Sequence, residues 1–159
     1  MQRLPNTRSC FACGLENPLG LQLGFHGDTT AAETRFSVRP EFIGFRDTVH
    51  GGVVATVLDE VMVWAVGVAG GKFVYCAELT VRYLRPTRPQ TELIARGELV
   101  ENRRGKLFSA RADLRDTTGQ ILAEATGKYL PVPDSVSAEV VAEFGGVTPD
   151  FLQRATVKV

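Results

Sequence analysis

Little in this chain announces a function by abundance. It has three cysteines, Cys10, Cys13 and Cys76, too few and too unevenly spaced for a disulfide framework, so a reducing cytoplasm is the expected compartment. Net charge is absent. Eighteen basic and eighteen acidic side chains cancel, which leaves no global field to recruit nucleic acid or a membrane. The opening MQRLPNTRSC lacks the apolar segment of a secretory leader. Internal repeats and low-complexity segments are missing too. One apolar run, 53–69, approaches the length of a membrane span. Two acids at its middle, Asp59 and Glu60, make insertion costly, and the strand-like segments after it need a core to cover. No membrane partner is expected.

What is present suits one domain. Hydrophobic residues make up 44% and charged residues 23% of 159, ordinary for a soluble globular protein. A chain of this length buries about two-thirds of its unfolded surface. The whole of 1–159 reads as a single domain, with a loop segment at 1–20 and a short helical extension at 134–159. The run after His50 predicts a helix to about residue 69, stopped by Gly70-Gly71. Its apolar residues cover the whole circumference, which predicts burial on all sides. A buried helix carrying adjacent carboxylates needs an explanation, because an unpaired buried charge is expensive.

Around this helix the periodicity is two. Strands are predicted over 21–25 and 30–38, with a turn at 26–28, and then over 72–85, 93–103, 106–116 and 120–130. Strict alternation in 72–85 would set Val74, Cys76, Glu78, Thr80, Arg82 and Leu84 on one face. Ser137 is placed to cap a short helix ending at Gly145-Gly146, and Thr148-Pro149 to start another turn. Two strands, one apolar helix and four long antiparallel strands imply an α+β fold, a sheet curled around one helix. Such a sheet leaves a face and an edge open, and a second copy would cover them.

The residues also carry a family resemblance. Val49-His50-Gly51-Gly52, with a carboxylate nine positions after the histidine, resembles the HGG signature of hotdog-fold acyl-CoA thioesterases of the phenylacetate-degradation type. Cys10-Phe11-Ala12-Cys13-Gly14 with Asn17-Pro18-Leu19-Gly20-Leu21 is similar to the N-terminal segment of one branch. Residues 77–86 resemble the strand after the family's helix. The resemblance implies a hotdog fold of about six strands and hydrolysis of acyl-CoA to a carboxylic acid and coenzyme A. It implies a dimer or dimer of dimers, with no metal or other cofactor.

In that reading the Gly51 amide polarises the thioester carbonyl, and His50 and Gly52 complete the turn. A helix start has unpaired N–H groups, and such donors stabilise an oxyanion. Asp59 is the family's general base toward water, or its nucleophile. Held in an apolar helix, it favours the protonated form, which suits proton uptake near neutrality. At ~100° per residue, Asp59 lies about 80° around from Gly51 and over two turns along, so the resemblance implies that each subunit supplies half of the site.

Other assignments are looser. Glu60 reads as a solvated or salt-bridged edge residue that could touch substrate. Either acid could be a structural ion pair. Relatives carry Asn or Gln where Gly44 stands, and often Thr at Cys76, on the strand facing the carboxylate. Arg82, Arg103, Arg104 and Lys106 are candidates for coenzyme A phosphates, with plain surface charge as the alternative. Trp64, Met62 and Phe73 are candidates for the acyl pocket. Cys10 and Cys13 form a lone pair, short of the four ligands zinc takes, and are expected to pack the N-terminal loop. The rival to hydrolysis is a non-catalytic module that binds acyl-CoA or a fatty acyl ligand.

Overall fold

The computed structural model describes residues 1–145 and 149–150. In chain order its elements are β1 (Gln2–Arg3), β2 (Phe25–Gly27), β3 (Ala31–Phe36), β4 (Ile43–Phe45), β5 (Thr48–Val49), α1 (Gly51–Gly70), β6 (Val74–Tyr83), β7 (Leu93–Arg103), β8 (Leu107–Asp116), β9 (Ile121–Pro131) and α2 (Ser137–Ala142). Seven strands form one antiparallel sheet in the order β1-β2-β3-β7-β8-β9-β6, and β4 and β5 form a separate ribbon. Apart from two-residue β1, this is the expected six-stranded sheet around one helix.

The helix is delimited chemically at both ends. His50 caps its start by accepting the Gly52 N–H at Nδ1, 2.9 Å away. Gly71 ends it in the left-handed region at φ 68°, its N–H donating to the Gly67 carbonyl. Val54, Val57, Leu58, Val61, Met62 and Ala65 are buried against a sheet that contributes Phe25, Leu93, Phe108, Leu114 and Tyr129. At Gly97 of β7 an added Cβ would lie 2.6 Å from the Val61 carbonyl oxygen, so helix and strand touch backbone to backbone.

Burial on all sides does not hold. Ala55, Thr56, Asp59 and Val63 form a half-buried stripe, because the sheet wraps one side of α1 only. The edge strand β6 has β9 as its one partner among the described residues, and exposes Tyr75, Tyr83 and, just beyond it, Leu84.

Strict alternation in β6 fails as well. Cys76 pairs with Tyr129 and Glu78 with Lys128, leaving Ala77 as an extra residue in a bulge. Even-numbered Val74 and Cys76 therefore face α1 before the bulge. Leu79, Val81 and Tyr83 face it afterwards, and Thr80 and Arg82 turn to the outer surface.

Smaller differences lie at the ends. The first long-range strand is 25–27 instead of 21–25, because the chain at Gln22 takes a positive φ of 52° that breaks an extended run. The turn expected at 26–28 moves to 28–30, where the Asp28 side chain accepts from the Thr30 and Ala31 amides. Ser137 is the first residue of α2, and its hydroxyl donates to the Asp134 carbonyl, so it does not cap. Thr148 lies outside the described residues.

Candidate active site

Two glycine amides open α1, and the cap treats them differently. The Gly52 N–H is taken by His50. The Gly51 N–H has no acceptor among the described residues, while its carbonyl accepts from the Tyr83 hydroxyl at 2.8 Å. Tyr83 thus holds the helix start from the edge strand. Gly44, on the ribbon beside His50, leaves little room for a side chain. An added Cβ would meet the His50 Cα and Cδ2 at 3.1 Å, so glycine lets the histidine sit close, and it brings no side-chain amide.

Asp59 lies eight residues further on, a rise of roughly 12 Å along the helix. Its Oδ1 accepts from the hydroxyl of Tyr129, 2.8 Å away. Tyr129 is fully buried on β9, and Gly127 beside it makes space, since a Cβ there would sit 2.6 Å from the Tyr129 ring. Burial, and then the Asp59 carboxylate, push the Tyr129 hydroxyl well above its ordinary range, so it stays a donor. Sequence reasoning missed this residue. Its signal was a tyrosine on the core row of the last strand, where the hydroxyl must find a partner.

Cys76, opposite Tyr129 on β6, completes the surroundings of Asp59. Desolvation, followed by Asp59, pushes its thiol up to about 11. It is therefore a neutral thiol near pH 7 and not a nucleophile in waiting.

Glu60 departs from its expected place as a solvated edge residue. It is half-buried beneath the N-terminal loop, with Oε1 4.0 Å from Cys10 Sγ. Burial, then negative charge at Cys10, push its carboxyl up to about 7. Cys13 holds its proton toward Cys10, which lowers Cys10 and raises Cys13. No basic side chain pairs with either Asp59 or Glu60 among the described residues.

The basic candidates are not brought to the helix start. Arg82 lies on the outer face of the sheet, 3.4 Å from Glu124. Its cross-strand row runs Arg82, Glu124, Asp113, Arg96, Glu33, with charges of both signs. Arg103 pairs with Glu101 at 2.9 Å. With Arg104 and Lys106 it occupies the β7–β8 hairpin, past Phe108, whose ring approaches Gly70 at the far end of α1. An apolar cavity of about 180 Å³ opens beside Glu60, lined by Val63, Trp64, Gly67, Phe73 and Phe144. Met62 is fully buried in the core and lies outside that lining, because it points at the sheet.

Residues 47–123, which span β5, α1 and most of the sheet, match the model of the family described as the thioesterase superfamily. Among solved structures, a thioesterase superfamily protein is 30% identical, with 77% of this chain and 63% of that chain covered and a TM-score of 0.69. The present chain thus spans less than two thirds of that relative. The Escherichia coli PaaI protein from the phenylacetic acid degradation operon is 16% identical over 71% of this chain and 81% of its own, with a TM-score of 0.65. A Streptococcus mutans protein bound to acetyl CoA is 16% identical over 69% and 88%, with a TM-score of 0.64. No curated protein matches the sequence significantly. The sheet wrapped on one helix gives the chain the hotdog fold, and the match across its centre makes it similar to the thioesterase superfamily.

Proposed function

We propose that the protein is a cytoplasmic acyl-CoA thioesterase that works as a homodimer or a dimer of dimers. The observation that carries this reading is the pairing of an uncommitted Gly51 amide at a capped helix start with a carboxylate, Asp59, on the uncovered stripe of the same helix. A thioester carbonyl accepts from the Gly51 N–H, which gains strength as negative charge develops on the oxygen. Asp59 takes a proton from water, the water oxygen bonds to the carbonyl carbon, and the carbon–sulfur bond breaks. Asp59 passes that proton to the departing sulfur, so coenzyme A leaves as its thiol, the acyl group as a carboxylic acid, and the carboxylate is restored. Tyr129 aims the carboxylate and Tyr83 holds the helix start.

Asp59 and Gly51 lie roughly 12 Å apart along one helix, so one chain does not aim both at one carbonyl. A second copy that covers the half-buried stripe and the β6 edge would set Asp59 of one subunit against Gly51 of the other. The acetyl CoA in the Streptococcus mutans relative supports coenzyme A as the carrier, and the cavity beside Trp64 and Phe73 suits a small apolar acyl group. A panel of acyl-CoA substrates with detection of free thiol tests the reading. Thiol release that depends on Asp59 is expected. Tight acyl-CoA binding without release would make the protein a binding module instead.

A further inference from the structure

Cys10 and Cys13 take no part in this chemistry, yet the N-terminal loop is built around them. The Ala12 N–H donates to Cys10 Sγ at 3.3 Å and the Gly14 N–H to the Cys10 carbonyl at 2.8 Å. A Cβ at Gly14 would lie 2.5 Å from that oxygen, so only glycine closes the turn. Asn6 Nδ2 ties the Cys13 carbonyl to the Leu23 carbonyl, at 2.9 and 2.8 Å. The Thr7 hydroxyl lies 3.1 Å from Cys13 Sγ. The result is a knuckle that turns both sulfurs inward, onto the flank of α1 at Glu60. One ligand atom from each of Cys10, Cys13 and Glu60 lies within 4.8 Å of the other two.

That spacing is close to what a metal needs. A tetrahedral zinc with Zn–S near 2.3 Å and Zn–O near 2.1 Å separates its ligand atoms by roughly 3.5–3.8 Å, and Cys10 Sγ and Glu60 Oε1 are 4.0 Å apart. The donor set selects among metals. Two thiolates exclude magnesium and calcium, which take oxygen ligands, and suit zinc, which accepts sulfur and carboxylate together. An iron–sulfur cluster would need more cysteines than the pair supplies. Counting cysteines alone argued against a metal, because the sequence holds one pair. The fold adds a third ligand from a helix fifty positions away.

We propose that Cys10, Cys13 and Glu60 bind one zinc ion, with water as the fourth ligand, so that the ion staples the N-terminal loop to α1 next to Asp59. Binding releases the Cys13 thiol proton and any proton on Cys10 or Glu60. The ion does not touch the reacting carbonyl; it fixes the register of the loop on the helix that carries Asp59.

The test is metal analysis of the untagged chain purified in reducing, chelator-free buffer. About one zinc per chain is expected, retained by Cys76→Ser and lost by Cys13→Ser and Glu60→Gln. Because a cysteine variant can fail to fold, the wild-type chain is also stripped with chelator and titrated with cobalt. Thiolate-to-cobalt charge-transfer bands with tetrahedral d–d absorption are expected, together with a lower melting temperature for the stripped protein. Folded, reduced wild-type chain that takes up neither metal overturns the proposal. So does zinc content unchanged in Cys13→Ser, or a Cys10–Cys13 disulfide in the intact mass of the freshly purified protein.

Discussion

Tyr129→Phe removes one oxygen atom from a fully buried ring and leaves the packing around it intact. The lost contact is a 2.8 Å hydrogen bond from a neutral hydroxyl to the Asp59 carboxylate. Hydrogen bonds to charged groups contribute roughly 1.5–3 kcal/mol. Asp59 is half-buried, so water replaces part of the lost bond and the lower end applies, about 1.5 kcal/mol. For a chain of this size that lowers Tm by roughly 3–6 °C. The catalytic consequence is distinct. Without the hydroxyl the carboxylate is no longer aimed at water, and if the same ~1.5 kcal/mol is lost from the transition state, kcat falls roughly tenfold. The assay is steady-state acyl-CoA hydrolysis, read by free thiol, beside a thermal melt. Wild-type kcat would refute the role given to the Tyr129 hydroxyl, whatever happened to Tm.

Two further outcomes follow from the same contacts. Gly97→Ala forces a Cβ to within 2.6 Å of the Val61 carbonyl, which destabilises by about 1–3 kcal/mol; Gly24→Ala, with nothing within 4 Å, is expected to melt like wild type, and equal melting of the two variants would contradict the backbone contact between helix and sheet. Cys76, pushed up to about 11, is expected to alkylate slowly at pH 8 in a Cys10→Ser, Cys13→Ser background and to accelerate as pH rises toward that value, with Cys76→Ser still hydrolysing substrate; fast labelling at neutral pH would show an activated thiol.

The helix and the last three strands were readable because their punctuation is local. Gly70-Gly71 stops α1, Arg104-Gly105 turns β7 into β8 with φ values of 53° and 68°, and the Asp116 side chain organises the next turn through Thr118 and Gln120. The bulge at Ala77 was not readable. Tyr75, Cys76, Ala77 and Glu78 fit strict alternation as well as they fit a bulge, and only pairing with β9 decides between them. That one inserted residue put Arg82 on the outer surface and Tyr83 over the helix start.

The site divides in the same way. His50, Gly51 and Asp59 stand out by type and spacing along one helix. Tyr129 and Glu60 depend on which surface docks where. The hydroxyl of Tyr129 reaches Asp59 only because Gly127 lets its ring lie flat. Glu60 leaves solvent only because a loop fifty residues earlier folds over it. Neighbouring acids therefore differ in environment for reasons that no local pattern encodes.

The central claim is that Asp59 activates the attacking water. Steady-state hydrolysis of acyl-CoA by purified Asp59→Asn, beside wild type of matched oligomeric state and melting temperature, tests it most directly. General-base removal typically costs 10²–10⁴-fold, so a loss of at least about a hundredfold in kcat is expected with the fold retained. Hydrolysis at the wild-type rate by the folded variant would contradict the account.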